Sequence, residues 1–417
     1  MRSLLGRFHR PFARGVDEQL LLLNNLGDGS TLTLDFTAMG GMLDSRFTFT
    51  RNSVATYIGS DGLVKTVAAA ATNDPTKARF DHDPSTGALR GLLLEGASTN
   101  LVCGSETFAT SGGSNNWADS NITRDATLRT SPDGTANALR ITAAAGNATV
   151  TNNLAITAAT RTFSVWIRRV SGSGNIQLSR NTNDTTPTPT WTTVTISSTW
   201  SRVSVTGSST GNTGVGIRIV SASDVIEVWG AQVENGSQPS SYIQTTTSTA
   251  TRVVEECRFA ISAPAIGWNA NPPAVSVLCK AYISRLGTSG FPQHLQFWVT
   301  SAGVAALSFS HNSAGYTQYA SGSASSGTFG TSNQTGLTVG ARSRVAHSPA
   351  TTTNPMSVNG ATASTIAANS ALVLRVPDEI RLNYDNSGAY SNSVTFEIVK
   401  FWPTQFTQDQ LNALTAS

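Results

Sequence analysis

Residues 79–101 read RFDHDPSTGALRGLLLEGASTNL, and this stretch predicts a short β-hairpin around which the larger domains pack. A charged run leads into Pro84-Ser85-Thr86-Gly87, where proline presets φ and glycine tolerates the positive φ that closes a turn. After the turn comes the apolar run Leu92-Leu93-Leu94, followed by Glu95-Gly96. We therefore expect the apolar half of the hairpin to be buried between larger domains.

The composition of the chain favours folded β domains over disorder. Its 417 residues suffice for two or three domains, and only 13% are charged, against about a quarter in ordinary proteins. Disordered chains have few aromatic residues and a high net charge. This chain instead has 8 Trp, 16 Phe and 7 Tyr with a net charge of +3, and its 36 glycines suit many tight turns.

Period-two alternation of apolar and polar residues predicts two β-sandwich domains. Clear examples are TFSVWIR at residues 162–168 and AVSVLCKAYI at residues 274–283. Near the end of the chain we expect a short helix with Thr407 as N-cap and Gln410 at the capping-box position. The predicted fold is all-β, with two jelly-roll or β-sandwich domains in tandem at 105–252 and 253–417, a linking module of extended segments and turns at 30–104, and an N-terminal docking arm at 1–29.

Several motifs in this order carry a resemblance to known families. LDSRFTFTRNSVATY at residues 43–57 precedes RFDHDP and GLLLEG, and the whole of residues 34–101 resembles a module common in bacteriophage and prophage tail or head fibre components. TFSVWIR and WGAQVENG (residues 229–236) are similar to segments of carbohydrate-binding jelly rolls. Val358-Asn359-Gly360 and the closing FWPTQFTQDQLNAL (residues 401–414) resemble the concanavalin A-like jelly roll.

These resemblances imply a virion structural protein on the exterior of a phage particle. Such a tail or head fibre or spike component presents β-sandwich domains for adsorption to host-surface polysaccharide, and it contacts other virion proteins through its N-terminal arm. The resemblance also implies a homo-oligomer, with a trimer favoured because fibre proteins are often trimers. Two alternatives stay open: a tailspike-type glycan depolymerase, and a cement or baseplate protein without a glycan function.

The arm differs in composition from the rest of the chain, because arginines precede its first acidic residue, Asp17, and four leucines follow at 20–23. A signal peptide fits poorly, since the apolar run is short and late and no small-residue cleavage site follows. A solvated terminus is the alternative to docking. The residues predicted to attach the arm to a neighbouring virion protein are Arg2, Arg7, Phe8, Arg10, Phe12, Leu21 and Leu22.

Glycan binding needs exposed aromatic rings that stack on sugar faces. Trp117 follows a glycine- and asparagine-rich run at 112–116 and is predicted to lie on an exposed loop. Tyr316 and Tyr319, in NSAGYTQY, are the other two candidates. Trp166, Trp200 and Trp229 lie within predicted strands, and we expect them to pack in the core.

No enzymatic activity is expected from the acidic residues. A glycosidase needs two carboxylates about 5 Å or about 6.5–9.5 Å apart. Asp378 and Glu379 are adjacent in the sequence, and adjacent residues on a strand point to opposite faces. Ion pairs with Arg79 or Arg90 explain Asp81 and Asp83 more simply than catalysis does. The pairs considered are Glu227 with Glu234, Asp81 with Asp83, and Asp378 with Glu379.

No cofactor is expected either, because the five histidines are scattered. Calcium held by Asp and carbonyl oxygens is common in both jelly-roll families and stays open. Cys103, Cys257 and Cys279 lack C-x-x-C spacing and are expected to be buried hydrophobes or free thiols. No basic stripe indicates a nucleic-acid partner, and no run of about 18 apolar residues indicates membrane insertion.

Overall fold

The computed structural model of the chain describes residues 28–113, 115–154, 157–182, 189–209, 213–268, 274–285, 293–311, 317–320, 339–348, 355–362, 376–383 and 392–416. These residues form 29 strands, one α-helix and three short 3-10 helices at Pro75–Lys77, Pro264–Ile266 and Thr300–Ala302. The predicted all-β class is confirmed.

The strands are numbered in chain order. Those of residues 30–104 are β1 (Leu32–Asp35), β2 (Phe47–Thr50), β3 (Ala55–Ile58), β4 (Val64–Val67), β5 (Arg79–His82), β6 (Leu89–Glu95) and β7 (Ser98–Asn100). Next come β8 (Trp117–Ser120), β9 (Ile122–Arg124), β10 (Arg129–Thr130), β11 (Ala136–Ala143), β12 (Ala148–Leu154), β13 (Ala159–Ser171), β14 (Ile176–Ser179), β15 (Thr192–Val194), β16 (Ser201–Ser209), β17 (Thr213–Ile219) and β18 (Val225–Asn235). The last group is β19 (Ala250–Arg252), β20 (Glu256–Ala260), β21 (Ser276–Arg285), β22 (Gln293–Val299), β23 (Val304–His311), β24 (Thr317–Ala320), β25 (Ala341–His347), β26 (Met356–Val358), β27 (Ala361–Thr362), β28 (Glu379–Leu382) and β29 (Ser393–Trp402), followed by α1 (Gln408–Ala416).

Strands β8–β18 form a β-sandwich, which we call the inserted sandwich. One sheet has the order β10-β11-β18-β13-β16, with β9 also paired to β11, and the other has the order β15-β14-β17-β12-β8. Their shared core includes Phe163 and Ile167 of β13 with Val150 and Ile217 of the opposite sheet. This sandwich has its own apolar core, built from residues between Val102 and Val233.

The second sandwich takes strands from both ends of the chain, and we call it the split sandwich. Its sheets have the orders β27-β26-β25-β21-β29-β6-β5, with β1 also paired to β29, and β2-β20-β28-β22-β23-β24. The long strand β29 pairs with β6 through its first half and with β1 through its second half. Strands β1, β2, β5 and β6 of residues 30–104 therefore belong to the sheets of the second sandwich, whereas β3, β4 and β7 pair outside those two sheets. The predicted boundaries at 105–252 and 253–417 stay predictions.

The chain enters and leaves the inserted sandwich through two adjacent strands. β7 and β19 are antiparallel, with Ser98 opposite Arg252 and Asn100 opposite Ala250. The side-chain amide of Asn100 also donates to the carbonyl oxygens of Ala231 and Ile243, at 3.0 and 2.8 Å. One sandwich is thus inserted into the other at a single double-stranded crossing.

The C-terminal helix α1 has the predicted capping box. The Thr407 amide donates to Oε1 of Gln410 at 2.8 Å, and the Gln410 amide donates to Oγ1 of Thr407 at 3.3 Å. Leu411 buries the helix against Leu278 and Trp402 of the split sandwich. Within the described residues, no helix has the length and apolar character needed to cross a membrane.

Gly91 lies where β6 approaches the backbone of β29 most closely. Its φ is +128°, and an added Cβ atom would collide with the carbonyl oxygen of Phe396. We expect Gly91→Ala to lower the free energy of unfolding by about 2–4 kcal/mol, because backbone strain and the collision both oppose the methyl group. Gly40→Ala is the control, since Gly40 has a φ of +66° but nothing within 4 Å of the added atom. Urea unfolding measures both variants, and equal losses would contradict the role of the close contact.

Candidate functional site

Strand β13 is buried on both faces, and the face turned away from the core borders the candidate site. Phe163, Val165 and Ile167 point into the core of the inserted sandwich. Ser164 and Trp166 alternate with them and therefore point to the opposite side, yet they are only 0% and 8% exposed. The second face is covered because Ile58 and Val64 of the β3–β4 hairpin pack in one apolar cluster with Trp166. Arg202 donates to the Ser164 hydroxyl on the same face.

A buried ion-pair network, the junction network, lies beside this face. The Glu255 carboxylate accepts from Arg51 at 2.8 Å and from Nε of Arg79 at 2.9 Å. The Glu95 carboxylate accepts from Arg79 at 2.8 Å and pairs with Arg252 at 3.1 Å. None of the five side chains is more than 2% exposed. Buried charges are tolerated only when they are paired and hydrogen-bonded in this way.

Three further contacts join the split sandwich to the inserted sandwich and to Ser241, which follows the last strand of the inserted sandwich. The Ser241 amide donates to Oε1 of Glu95 at 2.9 Å, and Nη1 of Arg79 donates to the Ser241 hydroxyl at 2.8 Å. Glu234 of β18 pairs with Arg285 of β21 at 2.9 Å, with both side chains almost fully buried. The two sandwiches therefore share a charged interior in which each of these carboxylates has a defined partner.

A cleft of about 570 Å³, the junction cleft, opens next to this network. Its walls come from the β3–β4 hairpin, from the inserted sandwich with the segment that follows β18, and from strands β5, β6, β21 and β29 of the split sandwich. Among its lining residues are Tyr57, Leu63, Asp81, Arg90, Glu95, Trp166, Trp200, Arg202, Ser240, Ser241, Tyr242, Tyr282 and Ser284.

Aromatic rings form the apolar part of the cleft. Trp166 packs edge-on against Trp229 and Tyr242, with ring centroids 5.2 and 5.5 Å away. Trp166, Trp229 and Tyr242 are buried, whereas Trp200, like Tyr57, is only partly buried. The indole N–H of Trp200 donates to the carbonyl oxygen of Thr130 at 3.2 Å, which fixes the ring at the cleft wall.

Two arginines line the cleft, one from each sandwich. Arg202 is the cross-strand neighbour of Trp166, and its guanidinium lies 4.4 Å from the centre of that ring. Burial lowers the pKa of Arg202 to about 10. Arg90 lies 4.8 Å from the ring centre of Tyr282 and pairs with Asp83 at 2.7 Å.

The two carboxylates that line the cleft differ in their electrostatics. Burial raises the pKa of Asp81, whose Oδ1 accepts the backbone N–H of Ile58 at 2.8 Å. Burial acts in the same direction on Glu95, but Arg252 and Arg79 outweigh it and hold the pKa of Glu95 well below its usual range. Glu95 is therefore a fixed anion, and Asp81 is the more weakly acidic of the two.

Trp117, predicted to be an exposed ligand contact, is instead buried. It begins strand β8, is 2% exposed, and packs 4.7 Å from the ring of Phe108. Its indole N–H donates to the carbonyl oxygen of Cys103 at 3.1 Å. The prediction of an exposed loop residue is wrong because the glycine-rich run ends where the strand begins.

The other predicted site residues fall partly or wholly outside the described structure. Tyr319 lies in β24, and its side chain is outside the described part. Tyr316 and the seven arm residues also lie outside the described residues: Arg2, Arg7, Phe8, Arg10, Phe12, Leu21 and Leu22. Their roles stay predictions.

The carboxylate pairs considered for catalysis are held by structural partners. Glu227 is buried between Arg140 and Arg168. Asp83 caps the hairpin turn through the Ser85 and Thr86 amides, at 2.9 and 3.0 Å.

The third pair is held in the same way. Asp378 accepts from the amide and hydroxyl of Thr300, at 2.9 and 2.8 Å, and Glu379 pairs with Arg381 at 2.5 Å. Of the six carboxylates considered, Asp81 and Asp378 have no arginine among their hydrogen-bond partners in the described part of the chain.

The described residues form no cluster for metal binding, and their three cysteines are buried. No group of three or more His, Cys, Asp or Glu side chains in the described ranges is placed to hold a metal ion. Cys103, Cys257 and Cys279 are buried free thiols, as predicted. Burial raises the pKa of Cys279 to about 12, so this thiol stays protonated at neutral pH.

Comparisons with known proteins give weak structural likenesses. No family model and no curated protein matches the chain. Trypanosoma rangeli sialidase matches over 67% of this chain and 60% of its own, with 10% identity and a TM-score of 0.31. Domain 4 of AbnA, an extracellular arabinanase from Geobacillus stearothermophilus in complex with arabinotriose, matches over 43% and 83%, with 14% identity and a TM-score of 0.29.

The binding domain of Paraclostridial Mosquitocidal Protein 1 is a third match, over 39% of this chain and 43% of that one, with 9% identity and a TM-score of 0.29. The sialidase complex with 2,3-difluorosialic acid is covered over only 26% of its length. At such TM-scores these likenesses carry no argument about function. Only the residues of the junction cleft itself therefore indicate what the cleft can bind.

Sequence reasoning missed Tyr57, Trp200, Arg202 and Tyr282 as site residues. For Arg202 a signal exists, because Val203 and Val205 pack towards the core and alternation then places residue 202 on the opposite face. For Tyr57 and Tyr282 no local signal exists. Tyr57 lies in β3 and Tyr282 in β21, and they line the same cleft only because these sequence-distant strands pack close together in the fold.

Proposed function

We propose that this chain is a non-enzymatic β-sandwich protein that binds a saccharide in the junction cleft. The observation that carries the proposal is a cleft of about 570 Å³ that combines partly exposed aromatic rings with hydroxyl and charged groups. Small-ligand sites are typically concavities of about 300–1,000 Å³ with an apolar lining and a few placed polar groups. Aromatic rings fit the apolar faces of sugars, and serine, arginine and aspartate side chains fit their hydroxyl groups.

We propose binding without turnover, because a glycosidase needs two carboxylates that can reach the sugar. Oε1 of Glu95 accepts from the Ser241 amide at 2.9 Å and from the Ser393 hydroxyl at 2.8 Å. Its Oε2 accepts from Arg79 at 2.8 Å. Glu95 is therefore saturated, which leaves Asp81 without a second carboxylate among the described lining residues.

We further propose that the protein acts as a tail or head fibre component, or spike, of a phage virion and presents this cleft to host-surface polysaccharide. The support is the order of motifs in residues 34–101. Three of the motif residues, Arg51, Arg79 and Glu95, build the junction network beside the cleft. The N-terminal arm would attach the protein to other virion proteins, in a homo-oligomer for which light scattering should give the mass of a trimer.

Trp200→Ala is expected to weaken saccharide binding about fivefold or more, because stacking on an indole contributes on the order of 1 kcal/mol or more. Binding of the full-length protein is measured on a glycan array and on host cells, with release of reducing ends followed in parallel. Trp191→Ala is the matched control, since both tryptophans are partly buried and have an arginine over the ring, Arg168 at 4.9 Å for Trp200 and Arg218 at 4.6 Å for Trp191, but Trp191 does not line the cleft.

Three results would contradict the proposal. Equal loss of binding in both variants would place the saccharide elsewhere. Release of reducing ends would make the protein a depolymerase. Absence of binding to every glycan and to host cells would favour a cement or baseplate protein.

A further inference from the structure

One of the two arginines that line the junction cleft has no carboxylate bonded to it among the described residues. Arg79 and Arg252 neutralise Glu95, and Asp83 neutralises Arg90. Arg202 forms no ion pair with a carboxylate in the described part of the chain. Its Nη1 donates to the carbonyl oxygen of Ser240 at 2.6 Å, and its Nη2 donates to the Ser164 hydroxyl at 3.0 Å.

A guanidinium has five N–H donors, and these two bonds use only two of them. Both partners are uncharged, and the ring of Trp166 covers one face of the group. A partly buried cation normally has an anion bonded to it, and Arg202 has none in the described part of the chain. Burial lowers the pKa of Arg202, while the charges of Glu234 and Glu95, neither of which forms an ion pair with it, act in the opposite direction.

We infer that the saccharide bound in the junction cleft is acidic, and that its carboxylate pairs with the Arg202 guanidinium. The inference rests on the proposed function and adds the class of sugar, a uronic or sialic acid residue within a polysaccharide. A carboxylate matches the planar fork of an arginine and can accept two parallel N–H bonds.

The rest of the cleft favours a singly charged group over a phosphate. Only one cation lining the cleft lacks an anionic partner among the described residues, and Asp81 adds a negative charge in the same cleft. A dianion would meet repulsion from Asp81 without a second available cation. The hydroxyl groups of a sugar can instead donate to Asp81 while the carboxylate pairs with Arg202.

The test uses the full-length protein with polygalacturonate and colominic acid, each beside its carboxyl-reduced neutral counterpart. The unmodified protein should bind one acidic polymer at least tenfold more tightly than its neutral counterpart, and the identity of that polymer distinguishes a uronic from a sialic acid. Arg202→Gln should abolish this preference. Arg218→Gln, which removes an arginine stacked on Trp191 outside the cleft, should retain it.

Arg202→Lys guards against loss of folding, because it keeps the charge while removing the planar fork. It should show an intermediate preference that falls as salt is raised. If the neutral polymers bind equally well and only Trp200→Ala weakens them, the saccharide site stands and its acidic specificity is overturned. If no polymer binds, or if Trp200→Ala has no effect on binding, the proposed function falls and the inference falls with it.

Discussion

Glu255→Gln is expected to lower the free energy of unfolding by about 3–5 kcal/mol, because it leaves buried guanidinium groups without their carboxylate. Glu255 is fully buried and accepts from Arg51, from Arg79 and from the Glu95 amide at 2.8 Å. A glutamine of the same shape retains one acceptor oxygen but no charge. The measurement is urea unfolding at neutral pH, followed by tryptophan fluorescence.

The neighbouring residue supplies the matched control. Glu256 pairs with Arg258 at 2.8 Å, and the two side chains are 37% and 30% exposed. An ion pair with this exposure contributes about 0–1 kcal/mol, so Glu256→Gln should have a small effect. Comparable losses in the two variants would show that the buried charge pairing of the junction network stabilises the fold no more than an exposed ion pair does.

Excision of the inserted sandwich is expected to leave a folded split sandwich. Asn100 and Ala250 are directly opposite each other in the β7–β19 pair. Replacing residues 101–249 by an Asn-Gly turn therefore closes a two-residue hairpin of a favoured type. The remaining chain retains all the strands of both sheets of the split sandwich, and it should show dispersed amide resonances and one cooperative unfolding transition.

The complementary fragment, residues 107–417, should fail to form the split sandwich. It lacks β1, β2, β5 and β6, and with them buried core residues such as Phe36, Phe47 and Leu94. We expect resonances of the inserted sandwich alone, with the remainder unfolded or aggregated. A fragment that folded both sandwiches would contradict the shared architecture.

The hairpin at residues 79–101 shows how far the sequence alone could lead. Its turn, its buried Leu92 and Leu94 and the Asp83–Arg90 ion pair were all anticipated from local patterns. The pairing of its second strand, β6, with β29 could not be predicted, because partners about 300 residues apart leave no trace in local periodicity. A linking module was therefore predicted where the structure has strands of the second sandwich.

The candidate site was harder to predict for the same reason. Trp166 and Trp200 both lie in or next to alternating strands, so sequence assigned both to the core. The structure buries Trp166 and leaves Trp200 at the cleft wall, since the difference depends on which hairpin covers each residue. Arg202 also lines the cleft only because sequence-distant segments pack around it.

Hydrogen exchange of the full-length protein, with and without a saturating polysaccharide from the binding panel, tests most directly whether the junction cleft is the binding site. The cleft is built from three separate parts of the chain. Ligand should therefore slow amide exchange together at residues 56–64, 199–203 and 239–242. Protection confined to the sheet beside Trp191, or spread without regard to these segments, would show that the saccharide binds outside the cleft.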